Sequence, residues 1–431
     1  MLKTYSLNQL SQGDIMKLVS RNTDPGNDIR ESVEAILNEV KTNGDSALKA
    51  YAEKFDKVKL DKLFLGKEEI NALAEEVNQQ EKEALLTAYN NIYKFHLSQV
   101  SGEEKIETMP GVTCWRELRP VERVGLYIPG GTAVLPGTFL MLGIPARIAG
   151  CKEIVVCSPP QSSGTINKYI AFCARLLEIE KVYLVGGAQA VAGMAYGTES
   201  ILKVDKIFGP GNQYVTKAKT IIQSTTQTAI DMPAGPSEVL VIADESAVSV
   251  FVAADLLAQA EHGTDSQSVL VTTSQTILDE TLVELKRQIE VLPRKEIAAK
   301  AIENSYAVLV DDLDEAVAFS NRYAPEHLIL QTHLWQSISS KITNAGSVFL
   351  GNLTPESAGD YASGTNHTLP TSGYARSYSG VSVDSFVKKI TFQYITEEGL
   401  QNIGPTVETL ASLEGLEAHK NAVSLRLKTI I

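Results

Sequence analysis

Cysteine is scarce in this chain, and what there is forms no pattern: Cys114, Cys151, Cys157 and Cys173 make no C-x-x-C pair and no zinc-finger spacing. Four thiols in 431 residues do not build a disulfide scaffold, so reduced, mostly buried cysteines are expected. Cys114 lies in Thr113-Cys114-Trp115-Arg116 with no histidine close in sequence, which does not single it out as a nucleophile. Long apolar runs are missing as well. The opening MLKTYSLNQLSQGD has no signal-peptide core, and the longest apolar stretch, 138–148, is broken by Gly143, Pro145 and Arg147. A soluble, cytoplasmic protein is expected. Positive charge is in deficit, 39 Lys plus Arg against 52 Asp plus Glu for a net charge of -13, which argues against nucleic acid or an anionic membrane as partner. A bound nucleotide stays open, because it needs local donors only.

What the sequence does have is length and alternation. A chain of 431 residues exceeds one ordinary core and points to two or three domains. Residues 1 to about 100 read as helices at 29–40, at 44–55 after an Asn43-Gly44 turn, and at 67–96. Between Gly111 and Gly131 come short β-like pieces ending in Tyr127-Ile128-Pro129-Gly130-Gly131, where a strand running into Pro-Gly-Gly lets backbone approach a ligand. Strands at 153–156, 181–185 and 204–208 then alternate with helices at 137–149, 166–178, 188–196 and 211–223. That is the pattern of βαβ units in a parallel sheet with ligands at the strand carboxyl ends. After a Pro- and Gly-rich joint at 230–238 the pattern resumes, with strands at 239–242, 268–272, 307–310, 327–330 and 347–350. Two open α/β sheets facing one another follow.

Several stretches carry chemistry. Val248, Val252, Ala253, Leu256 and Leu257 mark a helix that stops at Gly263, and near its end Gln259 and His262 stand three apart on one face. That pair suits a metal ion if other segments complete the shell, and it suits helix capping equally well. The turns Gly186-Gly187-Ala188-Gln189 and Gly209-Pro210-Gly211-Asn212 open helices whose amides favour phosphate. Neither completes G-x-G-x-x-G, so a tight connection and a cofactor cradle both fit. Tyr323-Ala324-Pro325-Glu326-His327 places an acid and an imidazole at a helix-to-strand corner, pointing to opposite sides unless the corner bends. The irregular stretch 351–371 holds Asp360 and His367, and its length and small residues mark it as functional. His96 reads as a packed histidine, and His333 receives no role. Beyond Ser385 a strand-like piece, 390–395, and small helices broken at Gly404-Pro405 and Gly415 cannot hold a core, so this tail packs on the body or on a second copy.

Taken together, these stretches resemble the histidinol dehydrogenase family from about Ile29 to the C-terminus. The resemblance rests on Tyr127-Ile128-Pro129-Gly130-Gly131, Gly187-Ala188-Gln189-Ala190, Gly209-Pro210-Gly211-Asn212, Ala234-Gly235-Pro236-Ser237-Glu238, Gln259-Ala260-Glu261-His262-Gly263, Ala324-Pro325-Glu326-His327-Leu328, Gly364-Thr365-Asn366-His367 and Glu417-Ala418-His419. Each is unspecific alone; in this order they are very specific. The resemblance implies oxidation of L-histidinol to L-histidine by way of L-histidinaldehyde, using two NAD. It implies one zinc ion per subunit held by Gln259, His262, Asp360 and His419, with the substrate's imidazole and amino nitrogens completing the shell. His327 would be the general base and Glu326 would activate water. Ser237, His367 and Glu414 would contact substrate together with the zinc ligands and His327, while Tyr127, Gln189 and Asn212 would contact NAD. The family is a homodimer whose tail crosses to its neighbour, so Glu414 and His419 would complete the partner's site.

On this reading the fold is α/β, two Rossmann-like open parallel-sheet domains facing each other with a helical N-terminal segment and a small helical C-terminal tail. Residues 1–25 form the N-terminal segment, 26–124 and 239–381 the domain with catalytic and metal residues, 125–238 the NAD-binding domain, and 382–431 the tail. Two other readings compete: a zinc hydrolase with Glu326 as base, and a non-enzymatic two-domain protein closing on a small amino-acid-like ligand.

Overall fold

In the computed structural model, residues 2–21, 27–100, 102, 104–130 and 134–430 are described; the boundary expected at residue 25 and Gly131 of the Pro-Gly-Gly turn lie outside them. The strand Glu238–Ala243 shows how the sequence builds a sheet covered on both faces. Val239, Val241 and Ala243 share a core with Val252, Leu256 and Leu257 of helix Ser249–Ala260. Leu240 and Ile242, on the alternate positions, meet Val317, Phe319 and Tyr323 of helix Leu313–Tyr323. The sheet runs Lys3–Ser6, Tyr306–Leu309, Gln267–Thr272, Glu238–Ala243, His327–Gln331, Ser347–Leu350, with every pairing parallel.

A second sheet runs Phe64–Gly66, Lys181–Leu184, Glu153–Ser158, Arg123–Tyr127, Lys206–Phe208, Ala229–Ile230. Its strands are parallel except the antiparallel edge Phe64–Gly66. The expected alternation is present in both blocks, yet the expected partition changes in two places. Residues 1–25 are not wholly helical. Lys3–Ser6 extends the first sheet, and helix Gln12–Val19 sends Ile15 and Val19 into that sheet's core. Residues 26–124 do not join 239–381. Val33, Leu37 and Val40 of helix Asn27–Tyr51, Ile70 and Ala74 of helix Lys67–Glu75, and Ile92 of helix Gln79–Leu97 share one core with Val124, Leu126 and Val156. The apolar stripes of these helices are thereby buried against the second sheet.

The sequence punctuation is visible in these helices. Gly44, at φ 51 and ψ -131, kinks the first where the Asn43-Gly44 turn was expected. Asn78, capping with Glu81 in a capping box, divides the stretch 67–96 in two. The tail is not purely helical either: Val387–Ile395 pairs antiparallel with Val112–Pro120, which pairs with Ile106–Met109. Helices Glu397–Leu413 and Glu417–Thr429 follow, and the second buries none of its residues. Among the described residues no helix is long and apolar enough to cross a membrane.

One buried ion pair fixes a ligand-facing turn of the second sheet. Lys219 and Asp231 meet at 2.5 Å with side chains 5% and 1% exposed. Asp231 accepts from the Gly209 amide at 2.8 Å, while Lys219 donates to the Gly209 carbonyl at 2.9 Å. Gly209 has φ +126, and a Cβ there would strike the Tyr127 carbonyl oxygen, so the pair clamps a backbone that only glycine adopts easily. Replacing Lys219 by Met strands a buried carboxylate and is expected to cost about 3 kcal/mol, read by urea denaturation. A loss below about 1 kcal/mol would show that the turn holds without the pair.

Candidate active site

The side chains gather because three elements aim at one point. His327, Ile329 and Gln331 alternate along strand His327–Gln331 toward helix Ser249–Ala260. Gln331 Nε2 donates to Asp255 at 2.7 Å, and Asp255, Gln259 and His262 follow one another along the same side of that helix and its end. Ahead of the strand, Ala324 takes a left-handed φ of 55 before Pro325, and the corner does bend. Glu326 Oε2 accepts from the Glu238 amide at 2.9 Å and lies 3.7 Å from His327 Nδ1. The expectation that Glu326 and His327 point apart is therefore corrected. The third element is a short helix, Glu356–Tyr361, inside the stretch expected to be irregular. It presents Glu356 Oε1 at 3.6 Å from His327 Nδ1 and Asp360 Oδ1 at 3.4 Å from Nε2.

Ser237, Glu326 and His327 sit at the amino ends of their strands, with Gln259 and His262 at a helix carboxyl end. This reverses the usual placement of ligands at strand carboxyl ends, because here the turns from helix into strand supply the groups. Glu356 was missed in the sequence. The available signal was its spacing: after Pro355, residues 356 and 360 fall on one face of any helix that starts there.

The electrostatics of the cluster are unbalanced. Burial opposes charge on His327, but Glu356, Glu326 and Asp360 outweigh it and raise the imidazole to about 10. Burial lifts Glu326 to about 7 and Glu356 to about 8. Burial also works against charge on Asp360, yet His327 beside it keeps that carboxyl below its ordinary range. His262 and His367 are both depressed, chiefly by burial. At the same time Gln259 Oε1 and Nε2, both ring nitrogens of His327, Asp360 Oδ1 and Glu356 Oε2 are buried without a hydrogen-bond partner. The His327 contacts thus have ion-pair proximity without hydrogen-bond geometry. Ligand atoms of His262, Glu356 and Asp360 lie within 4.8 Å of one another. An open set of amide oxygen, imidazole and carboxylate, unsatisfied in the absence of an ion, fits zinc held with room for substrate.

The other expected site residues divide. His367 is fixed rather than free: its Nδ1 meets the Asp360 carbonyl at 2.9 Å and so carries the proton, leaving Nε2 to accept from the Thr138 hydroxyl at 2.8 Å. It ties the acidic helix to helix Pro136–Ala149 of the second sheet. Ser237 lies next to Glu238, which is buried and ion-paired with Arg21. Glu414 and His419 are exposed on the tail, and among the described residues His419 joins no cluster with the others. His96 is buried with Nδ1 donating to the Ile92 carbonyl, a packed histidine as expected.

The nucleotide-side residues do come together. Tyr127, Gln189 and Asn212 line one cavity of about 860 Å³ at the carboxyl ends of the second sheet's strands. The chain moves outward from Arg123–Tyr127 on one side and returns to place Lys206–Phe208 on the other, so the cavity lies at a switch point. The Tyr127 hydroxyl accepts from the Gly187 amide at 3.1 Å, and burial pushes that phenol up to about 12. Asn212 Oδ1 caps helix Gln213–Thr225 through the Tyr214 and Val215 amides.

A mostly parallel sheet with a nucleotide-sized cavity at its switch point, joined to a second body carrying a buried imidazole among carboxylates, is an arrangement suited to an α/β oxidoreductase of the dehydrogenase class. A sequence model described as histidinol dehydrogenase matches residues 19–427. The chain is 55% identical over 417 residues to histidinol dehydrogenase of Bacteroides thetaiotaomicron, covering 97% of this chain and 96% of that one. It is 54% identical over 431 residues to the chloroplastic histidinol dehydrogenase of Arabidopsis thaliana, covering 100% and 92%. The crystal structure of histidinol dehydrogenase from Elizabethkingia anophelis superposes with a TM-score of 0.96 at 53% identity, covering 100% of this chain and 98% of that one. The chain belongs to the histidinol dehydrogenase family, whose members are NAD-dependent oxidoreductases that act on an alcohol. The hydrolase and binding-protein readings fall with that membership.

The raised value of His327 gives a test with a definite sign. A group whose folded pKa exceeds its ordinary 6.5 stabilises the fold below about pH 6.5 and loses that contribution as pH rises through about 10. In chelator-treated protein the His327 ring should stay protonated at pH 8 by NMR, and Glu356→Gln should move its titration downward. Titration near 6.5 in the stripped protein would contradict the arrangement.

Proposed function

We infer that the chain acts in histidine biosynthesis by oxidising histidinol. We propose that it carries L-histidinol through L-histidinaldehyde to L-histidine with two NAD and one zinc ion per subunit, as a cytoplasmic homodimer. The observation that carries this reading is the cluster of buried, unpartnered ligand atoms on Gln259 and Asp360 beside an unbonded His327. Gln259, His262 and Asp360 would hold the ion, with His419 of a second copy completing the set. Bound there, zinc supplies an electrophilic anchor for the substrate's nitrogens and no redox chemistry.

The chain's own groups then divide the labour. His327 takes the hydroxyl proton as hydride leaves the alcohol carbon for the nicotinamide, a task for a neutral imidazole. With Asp360 committed to a cation, His327 loses one of the charges that hold it protonated. Glu326, whose carboxyl lies near 7, is poised to take a proton from the water that attacks the aldehyde. His327 returns the first proton to the former aldehyde oxygen as the hydrate forms, and is then free to receive a hydroxyl proton again as the hydrate yields the second hydride to the second NAD. Tyr127, Gln189 and Asn212 would position NAD across the cavity, and an incomplete glycine fingerprint suits a cofactor that must exchange between steps. Ser237, His367 and the partner-borne Glu414 would orient the substrate. The exposed tail, with Leu410, Leu413, Leu416 and Leu425 on its surface, supports its docking on a second copy.

Three variants separate these roles. Glu326→Gln should keep hydride transfer from histidinol while slowing conversion of added histidinaldehyde by about 100-fold or more. His327→Asn should lose both half-reactions, and His262→Asn should lose bound zinc by metal analysis together with activity. Equal loss of the two steps in Glu326→Gln would overturn its assignment.

A further inference from the structure

The cavity that gathers Tyr127, Gln189 and Asn212 has an ionisable wall that the reaction above does not use. Among the described residues lining it, Asp56 is the only acid and Lys54 the only cation. Asp56 closes the turn Ala52–Asp56 that follows helix Asn27–Tyr51, after which Lys57 adopts a left-handed φ of 60. Its Oδ2 is buried and has no hydrogen-bond partner. Burial lifts the carboxyl of this half-buried residue to about 6, so the group is still mostly ionised at neutral pH, and its Oδ2 lacks a donor. A carboxylate left this way in a ligand cavity is completed by hydroxyl or amine donors of the occupant.

The remaining wall decides which part of a dinucleotide reaches it. The Gly186-Gly187-Ala188-Gln189 turn opens helix Gly187–Tyr196, and helix amides of that kind suit pyrophosphate. A carboxylate repels those phosphates and must face a neutral, donor-bearing part. Next to Asp56 in the chain, Phe55 is 49% exposed and stacked on Tyr51 at 5.4 Å with the ring planes nearly parallel, so the wall beside the acid is aromatic. Lys54 has its ammonium over the Phe55 ring at 5.1 Å and makes no ion pair with Asp56 among the described contacts.

We propose that Asp56 accepts the hydroxyls of the adenosine ribose of NAD and thereby excludes cofactors bearing a 2′-phosphate. The assignment rests on reading this cavity as the NAD site. In a Rossmann domain the acid with this task follows a strand of the sheet. Here it comes from the helical segment packed on the sheet, well before the first of the βα units. A ribose diol satisfies the carboxylate; a 2′-phosphate brings a second anion against it.

The test uses the full-length, zinc-loaded enzyme and steady-state kinetics with NAD and with NADP. Asp56→Ser should raise the KM for NAD about ten-fold at nearly unchanged kcat, and should raise the NADP-to-NAD ratio of kcat/KM by about ten-fold or more. Asp56→Glu, which keeps the charge, should leave that ratio low and covers the case in which Asp56→Ser fails to fold. Tyr214→Ala, elsewhere on the cavity wall, should raise the KM for both cofactors and leave the ratio unchanged. If Tyr214→Ala weakens NAD but Asp56→Ser leaves the ratio as it was, the role of Asp56 is wrong and the cavity assignment stands. If neither variant changes the KM for NAD, the cavity assignment fails and the proposal with it.

Discussion

Glu326, Glu356 and Asp360 all stand within 3.7 Å of the ring nitrogens of His327, in a region almost closed to water. Three acids against one imidazole is a charge balance that a protein interior tolerates only with a further partner, because unpaired buried charge is costly. The ring is held protonated, two of the carboxyls are lifted into or above neutrality, and the amide of Gln259 hangs unsatisfied nearby. A divalent cation bound there, as proposed, would resolve all of these at once, and by drawing charge away from His327 it would free a base for proton transfer.

The rest of the architecture serves to bring these groups to one place. The first sheet sends His327 from a strand and Gln259 from the helix above it, both on the same face. The acidic helix is then pinned across to the second body by His367, which bridges the Asp360 carbonyl and the Thr138 hydroxyl. Together with Asn366, which donates to the Met141 carbonyl, and Asn91, which donates to the Ala362 carbonyl, that histidine sets the spacing between the acidic helix and the second sheet's body. Hydride transfer demands such a spacing, since the donor carbon and the nicotinamide must meet at near-contact distance.

Much of this was legible in the sequence, for identifiable reasons. The βα alternation could be read because the strands are buried on both faces and so appear as short apolar runs, as in Val239 to Ala243. The small-residue turns at strand ends could be read directly, whereas the grouping of Tyr127, Gln189 and Asn212 was implied by the family resemblance, and the three do line one cavity. What could not be read depends on contacts remote in sequence. Lys3–Ser6 is a strand only because Tyr306–Leu309 lies beside it, and Phe64–Gly66 is three residues long, too short for any periodicity. The helices before residue 100 have apolar stripes that say they are covered, but not by which sheet. Glu356 escaped because the helix that pairs it with Asp360 spans six residues inside a glycine-rich stretch. The bend that unites Glu326 with His327 depends on a left-handed alanine, a conformation that nothing in its side chain announces.

The tail has a different standing from everything else. Its strand is secured to the body, while its last helix buries nothing and carries His419 into solvent. On the proposed reading, that exposed histidine would complete the ligand set of a second copy. X-ray absorption at the zinc edge of the loaded protein, with and without histidinol, tests the account most directly. A shell of nitrogen and oxygen only, gaining imidazole scattering when histidinol is added, is the result the cluster predicts. Sulfur in the shell, or a spectrum indifferent to histidinol, would place the metal elsewhere and contradict it.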